Sequence, residues 1–290
     1  MIVVRLMGGL GNQLFQYAAA RHLAHLNNTE LYLDIKSLEN TPTGETIGQF
    51  ELDKFNINAK IADESTLKSF LGCGFTKKDK FMTQFFSVGR RKKYEFNNYG
   101  FDEHLLNLQG NYYIKGFFQS EKYFKDIASI ISQELEVKKE LININQEIID
   151  EIKSKNSVSI HIRRGDHAKN LTSMDAHSLC SKDYFKKSIK YMKENVGANC
   201  KFYLFTDDKE WVKNEMTMED DCELISGNST IEDFYLMSLC KHNIISNSTY
   251  SWWAAWLNKN SEKIVVMPKY WTNHLVTEEI KLKPKNWIAK

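Results

Sequence analysis

Cysteine is scarce in this chain of 290 residues, which holds 5. Cys73, Cys180, Cys200, Cys222 and Cys240 are odd in number and form no C-x-x-C. That excludes a disulfide framework and a zinc knuckle and fits a reducing, cytoplasmic setting. The N-x-[ST] matches at Asn27, Asn170, Asn228 and Asn247 then read as unglycosylated. Long apolar runs are missing too: the longest are about six residues, far short of the roughly 20 that span a bilayer. The start, MIVVRLMGGLGNQ, lacks a basic region followed by an apolar core and a cleavage site, so no signal peptide is expected. An excess of one charge is absent, with 39 basic against 37 acidic residues and a net charge of +2. No global field draws nucleic acid, although one local positive pocket for a small anion is still allowed.

The usual metal and phosphate signatures are also wanting. No D-x-D triplet occurs, and the Asp pairs at 207–208 and 220–221 have no histidine at ligand spacing. His22 and His25 form an H-x-x-H without a third ligand. Neither a catalytic metal nor any cofactor is therefore expected. No Walker loop or nucleophile elbow is present, which argues against an NTPase or a phosphatase, and no internal repeat or low-complexity tract occurs. What remains is ordinary globular composition, 42% hydrophobic and 26% charged, enough for one large domain or two modest ones.

The pattern along the chain predicts an α/β protein with two facing Rossmann-like domains, 1–148 and 149–290, and a ligand cleft between them. The first opens with a β-α-β unit: strand Ile2–Leu6, a glycine-punctuated loop, helix Leu14–Leu26 and strand Leu31–Leu33. Residues 36–110 are irregular and predict short helices and long loops. The run Arg90-Arg91-Lys92-Lys93 there reads as a solvated face, with weak membrane-surface or anionic-glycan contact as the alternative. Tyr112–Lys115 predicts a strand and Glu121–Leu135 a helix. Residues 136–156 hold a helix and the crossing between domains. Then strands at Val158–Ile162, Phe202–Phe205, Glu223–Ile225, Asn243–Ile245 and Ile264–Met267 alternate with helices at Lys182–Asn195, Lys209–Met216, Thr230–Lys241 and Tyr250–Asn258. Such alternation predicts a parallel sheet covered on both faces.

Four segments carry chemistry, and each sits where a strand ends, the edge at which open α/β sheets bind ligands. Gly8-Gly9-Leu10-Gly11-Asn12-Gln13 is neither a G-x-G-x-x-G nor a P-loop. A tight turn explains its glycines as well as a ligand does, but Asn12 and Gln13 add amide donors at a helix start. His161-Ile162-Arg163-Arg164-Gly165-Asp166 places two arginines at the exit of an apolar strand. Arginine suits bidentate phosphate contact, and adjacent side chains point to opposite sides, so one can reach a ligand while the other pairs with an acid such as Asp166. Phe205-Thr206-Asp207-Asp208 offers a carboxylate to a base or a ribose. Asn247-Ser248-Thr249-Tyr250-Ser251-Trp252-Trp253 opens a helix with hydroxyls, a candidate anion site, while the tryptophans read as core.

GGLGNQLFQYA at 8–18, GFFQS at 116–120, HIRRGD at 161–166, FTDD at 205–208 and NSTYSWWAAWL at 247–257 together resemble the bacterial α-1,2-fucosyltransferases. The resemblance implies a GT-B fold, an inverting and metal-independent transfer, GDP-fucose as donor and a glycan as acceptor. The 1–148 domain would then be the acceptor side and 149–290 the nucleotide-sugar domain. Arg163 would hold the β-phosphate of GDP and stabilise it as it leaves. His161 and Asp207 would contact guanosine. Asn12, in the loop of Gly9 and Gly11, would reach the donor. Ser248, Thr249 and Ser251 would complete the phosphate cradle beside Arg164, and Asp166 is the candidate base. His167 departs from the tyrosine common in the family after that aspartate. An α-1,6 linkage and a binding protein without turnover are the rival readings.

Overall fold

The computed structural model describes residues 1–39, 48–71, 92–164, 179–216 and 221–290. Asp166 and the first two residues of the Arg90–Lys93 run lie outside the described residues. The chain divides into two compact units, Met1–Glu134 and Leu135–Lys290.

In the first unit, β1 (Ile2–Arg5), β2 (Leu31–Asp34), β3 (Lys60–Ile61), β4 (Lys92–Phe96) and β5 (Tyr112–Gly116) form one sheet in the order β3-β2-β1-β5-β4. Every pairing in it is parallel. Ile2, Val3 and Val4 of the central strand are fully buried, as a strand covered on both faces requires. Helix α1 (Leu10–Leu26) follows β1, and most of its side chains are buried. Short helices α2 (Lys36–Glu39) and α3 (Glu64–Leu71) follow β2 and β3. β3 and β4 were not legible in the sequence. β4, KKYEF, is an edge strand with only partly buried or exposed side chains, so it lacks the apolar alternation that marks a half-buried strand.

The helix expected over Glu121–Leu135 is broken. Two 3-10 turns, Glu121–Tyr123 and Lys125–Ile127, precede α4 (Ala128–Glu134). Tyr123, Phe124 and Ile127 are all buried, and seating them together overrides the regular 3.6-residue path.

The second unit begins earlier than position 149. Asn143 N–H donates to Glu232 Oε1 at 2.9 Å, and Lys259 pairs with Glu136, so the segment after Glu134 is tied to later elements. Ile149 and Ile152 of α5 (Gln146–Ser154) are buried as well. The rest alternates as expected: β6 (Asn156–Ile162), α6 (Lys182–Asn195), β7 (Cys200–Thr206), α7 (Lys209–Glu215), β8 (Cys222–Leu224), α8 (Thr230–Leu239), β9 (His242–Ile244), α9 (Thr249–Leu257) and β10 (Val265–Met267), after which the short β11 (Ile288–Ala289) adds an edge strand that the sequence reading did not predict. The six strands run parallel in the order β11-β10-β9-β6-β7-β8. Val158, Ile160, Ile162, Phe202, Leu204, Phe185, Val212, Ile244 and Val266 form the core on one face.

Strand order fixes where each sheet can bind. From β6 the chain winds outward to β7 and β8, then returns to β9 and winds the other way. The switch therefore lies between β6 and β9, and a crevice opens at their carboxyl ends. In the first sheet the corresponding switch lies between β1 and β5. Among the described residues, no helix is long and apolar enough to cross a membrane.

Candidate active site

Register alone brings the two arginines to the two aspartates. β6 pairs with β7 so that His161 faces Phe205 and Ile162 faces Thr206. The next residues on each strand are Arg163 and Arg164, and Asp207 and Asp208. Arg163 Nη1 lies 2.7 Å from Asp207 Oδ2, and Arg164 N–H donates to Asp207 Oδ1 at 2.8 Å. Both oxygens of Asp207 are thus engaged by the arginine pair, whereas the sequence reading gave this carboxylate to guanosine.

Arg164 is held differently. Its Nε is 3.5 Å from Asp208 Oδ2, a charge contact too long for a hydrogen bond, and its guanidinium lies 4.1 Å from the centre of the Trp211 ring. Asp208 also caps α7 by accepting from Trp211 N–H at 3.0 Å. The partner of Arg164 among the described residues is therefore Asp208, with Trp211 as its stacking surface. Neither role was read from the sequence. The D-x-x-W spacing, which puts the cap and the ring on one helical turn, was the available signal.

His161, the penultimate residue of β6, is buried, and its Nδ1 is 3.0 Å from Ser246 Oγ. Its ring lies 5.4 Å from that of Tyr250. Burial pushes the imidazole down to about 4; Arg163 acts in the same direction and Asp207 partly opposes it. His161 is therefore a neutral hydrogen-bonding group at pH 7. Ser246 was not singled out by the sequence reading.

Helix α9 starts at the switch. Ser248 is its N-cap in an extended conformation, with no side-chain cap bond and no acidic residue in the first turn. Such an N-terminus presents the positive end of the helix dipole, which suits an anion. Ser248 and Thr249 are half-buried. Ser251, expected in the same cradle, is only 1% exposed and turns its hydroxyl back to the Ser248 carbonyl at 3.3 Å. Trp252 and Trp253 are fully buried and stack edge to face at 5.3 Å, as core residues do.

The glycine loop belongs to the first unit. Gly8, not Gly9 or Gly11, has the left-handed backbone (φ +74°), and a Cβ there would sit 2.7 Å from Asn12 Nδ2. A Cβ at Gly9 would meet nothing within 4 Å. Gln13 is fully buried and spent internally: it donates to the carbonyls of Gly8 and Gln49 and accepts from Glu51 N–H. Asn12 Oδ1 accepts from Gln119 Nε2 at 2.9 Å. Among the described residues, no group of three or more His, Cys, Asp or Glu could hold a metal ion.

Comparison with known proteins gives this geometry a context. The family model described as "Glycosyl transferase family 11" matches residues 1–290. An Escherichia coli protein named "Alpha-1,2-colitosyltransferase" is 35% identical, covering 99% of this chain and 98% of its own. A second Escherichia coli protein, named "O-antigen biosynthesis glycosyltransferase WbnK", is 33% identical over 98% of both chains. A Bos taurus "Galactoside 2-alpha-L-fucosyltransferase SEC1" is 20% identical, covering 89% of this chain and 64% of its own.

Proposed function

We propose, from the premise that the chain belongs to glycosyl transferase family 11, that it transfers L-fucose from GDP-fucose to the 2-hydroxyl of a galactose-terminated glycan. The reading includes a GT-B arrangement, inversion, and no metal. The relatives named for α-1,2 transfer and for galactoside fucosylation support the linkage and the sugar class. The observation that carries the chemistry is the ion pair of Arg163 with Asp207 at the carboxyl end of β6, the edge at which α9 also begins.

Transfer forms a bond from the acceptor oxygen to C1 of fucose and breaks the bond from C1 to the phosphate oxygen. The state between is oxocarbenium-like, so negative charge moves onto the departing diphosphate. In this proposal Arg163, the N-terminal end of α9 and the Ser248 and Thr249 hydroxyls meet that charge. One preorganised donor of this kind is worth on the order of 3 kcal/mol. Asp207 holds Arg163 before the donor arrives and shares it afterwards. Arg164, clamped between Asp208 and Trp211, keeps Asp207 in place through its backbone N–H. Neutral His161 offers a hydrogen bond to the guanosine portion. Asp166 takes the acceptor proton.

A second reading has one observation in its favour. The 35% identical relative is named for colitose, which is fucose without its 3-hydroxyl. Both sugars share the nucleotide end, so the arginine site serves either. A donor panel with one galactoside acceptor separates them, with the linkage of the product read by NMR. GDP-fucose is expected to exceed GDP-colitose and to give a 2-O-linked product. Comparable turnover of UDP-galactose would sink the GDP-sugar reading, and a clear preference for GDP-colitose would correct the sugar.

A further inference from the structure

Asn12 is held by a residue that has so far been given no role. β1 and β5 are hydrogen-bonded neighbours, with Ile2 facing Tyr112 and Val4 facing Ile114. The glycine loop after β1 and the turn Gly116-Phe117-Phe118-Gln119-Ser120 after β5 therefore emerge side by side, at the switch point of the first sheet. There Gln119 Nε2 donates to Asn12 Oδ1 at 2.9 Å, across 107 positions of sequence.

The bond decides which end of the Asn12 amide faces outward. With its oxygen committed to Gln119, what Asn12 has left to offer is the NH2 group. Asn12 is half-buried, and among the described residues its Nδ2 has no hydrogen-bond partner. Gly8 leaves room for that group, since any side chain at position 8 would begin 2.7 Å from it.

The turn that supplies Gln119 is strained and locked. Phe118 has φ +51°, a region that bulky residues avoid. It is 1% exposed, packs edge-on against Tyr123 at 5.6 Å, and leaves no space for a Cβ at Gly116, which would lie 2.8 Å from its ring. Strain of this kind persists where surroundings over-determine it, typically at functional sites. Gln119 itself is 8% exposed, and its Oε1 is buried with no hydrogen-bond partner among the described residues. A packing role favours an apolar residue there, because an unsatisfied buried carbonyl is costly.

We propose that Gln119 is a positioning residue: it pins the Asn12 oxygen so that the Asn12 NH2 is presented to an oxygen of the substrate. This rests on the glycosyltransferase reading. The ligand chemistry is a hydrogen-bond acceptor, supplied either by the nucleotide sugar or by a hydroxyl of the glycan.

Wild-type turnover in the donor panel comes first, because its absence would refute the functional reading and leave Gln119 out of it. Gln119→Leu and Gln119→Glu are then compared with wild type for kcat, for KM of donor and of acceptor, for melting temperature and for pH profile. Gln119→Leu frees the Asn12 amide to rotate, and a misplacement of about 1 Å costs roughly 10²-fold in kcat/KM. A rise in donor KM assigns the NH2 to the nucleotide sugar, and a rise in acceptor KM assigns it to the glycan. Gln119→Glu has a distinctive signature. Its ionised carboxylate repels Asn12 Oδ1 and draws the NH2 inward, whereas its protonated form donates to Oδ1 as glutamine does. Its activity relative to wild type therefore rises as pH falls. A pH-flat ratio overturns the proposal, as does near-normal turnover of folded Gln119→Leu. Should the leucine variant fail to fold, the pH ratio of the glutamate variant decides alone.

Discussion

Removing the Arg163 guanidinium tests the core of the mechanism. Arg163→Ala takes away the group that meets the leaving diphosphate, and loss of one such stabiliser lowers kcat by roughly 10²- to 10³-fold, on the order of 3 to 4 kcal/mol. Stability should barely move. The ion pair with Asp207 is about a third exposed on the arginine side and about a quarter on the aspartate side, so solvent screening holds its worth to about 1 kcal/mol or less. Lysine should rescue poorly, because an ammonium cannot reproduce the planar fork. Asp207→Asn keeps the shape and removes the charge that aims Arg163, which should cost about 5-fold, the equivalent of about 1 kcal/mol. Because Asp207 acts through Arg163, the two losses should not add: the double variant should be no slower than Arg163→Ala alone. The assay is GDP release under saturating donor and acceptor, with melting curves for wild type and all four variants. Near-normal kcat in folded Arg163→Ala refutes the assignment. A double variant slower by the product of the single losses shows that Asp207 works independently.

Two further outcomes follow from the site. Because burial depresses His161 to about 4, the unfolded chain binds a proton that the folded chain refuses between roughly pH 6.5 and 4, so stability falls as pH drops through that window. The effect is on the order of 2 to 3 kcal/mol by pH 4.5, and denaturant titrations of wild type and His161→Gln at pH 7.5 and 4.5 read it. The variant should lose less on acidification, with a residual slope from His242, which burial also lowers; equal slopes would contradict a buried neutral His161. Turnover should also survive EDTA, given the missing D-x-D and the arginine site. Loss of activity on chelation, restored by Mn²⁺ or Mg²⁺, would count decisively against a metal-independent transfer.

Much of this protein could be read from its sequence. From β6 to β10 the second unit's strands and helices were legible within a residue or two, because strands buried on both faces are written as short apolar, β-branched runs bounded by polar and turn residues; the two-residue β11 is too short to leave such a trace. The candidate site was legible as residue types at strand ends: His161, Arg163, Arg164, Asp207, Ser248 and Thr249 are polar residues placed where a buried strand stops. Pairing was not legible. That Arg163 meets Asp207, that Arg164 meets Asp208 and Trp211, and that His161 meets Ser246 follow from the register of β6 on β7 and from the adjacency of β6 and β9, which are relations between distant segments. The same holds for Gln119 on Asn12, which exists because β5 lies beside β1. The edge strand β4 and the broken start of α4 were hidden for the opposite reason. One buries too little to leave a periodic trace, and the other bends its backbone to seat Tyr123 and Phe124. Local sequence thus fixes what each segment is and which chemistry it can offer. Strand order and register, set by the packing of the whole sheet, decide which of those groups meet and what charge or hydrogen-bonding state each one holds.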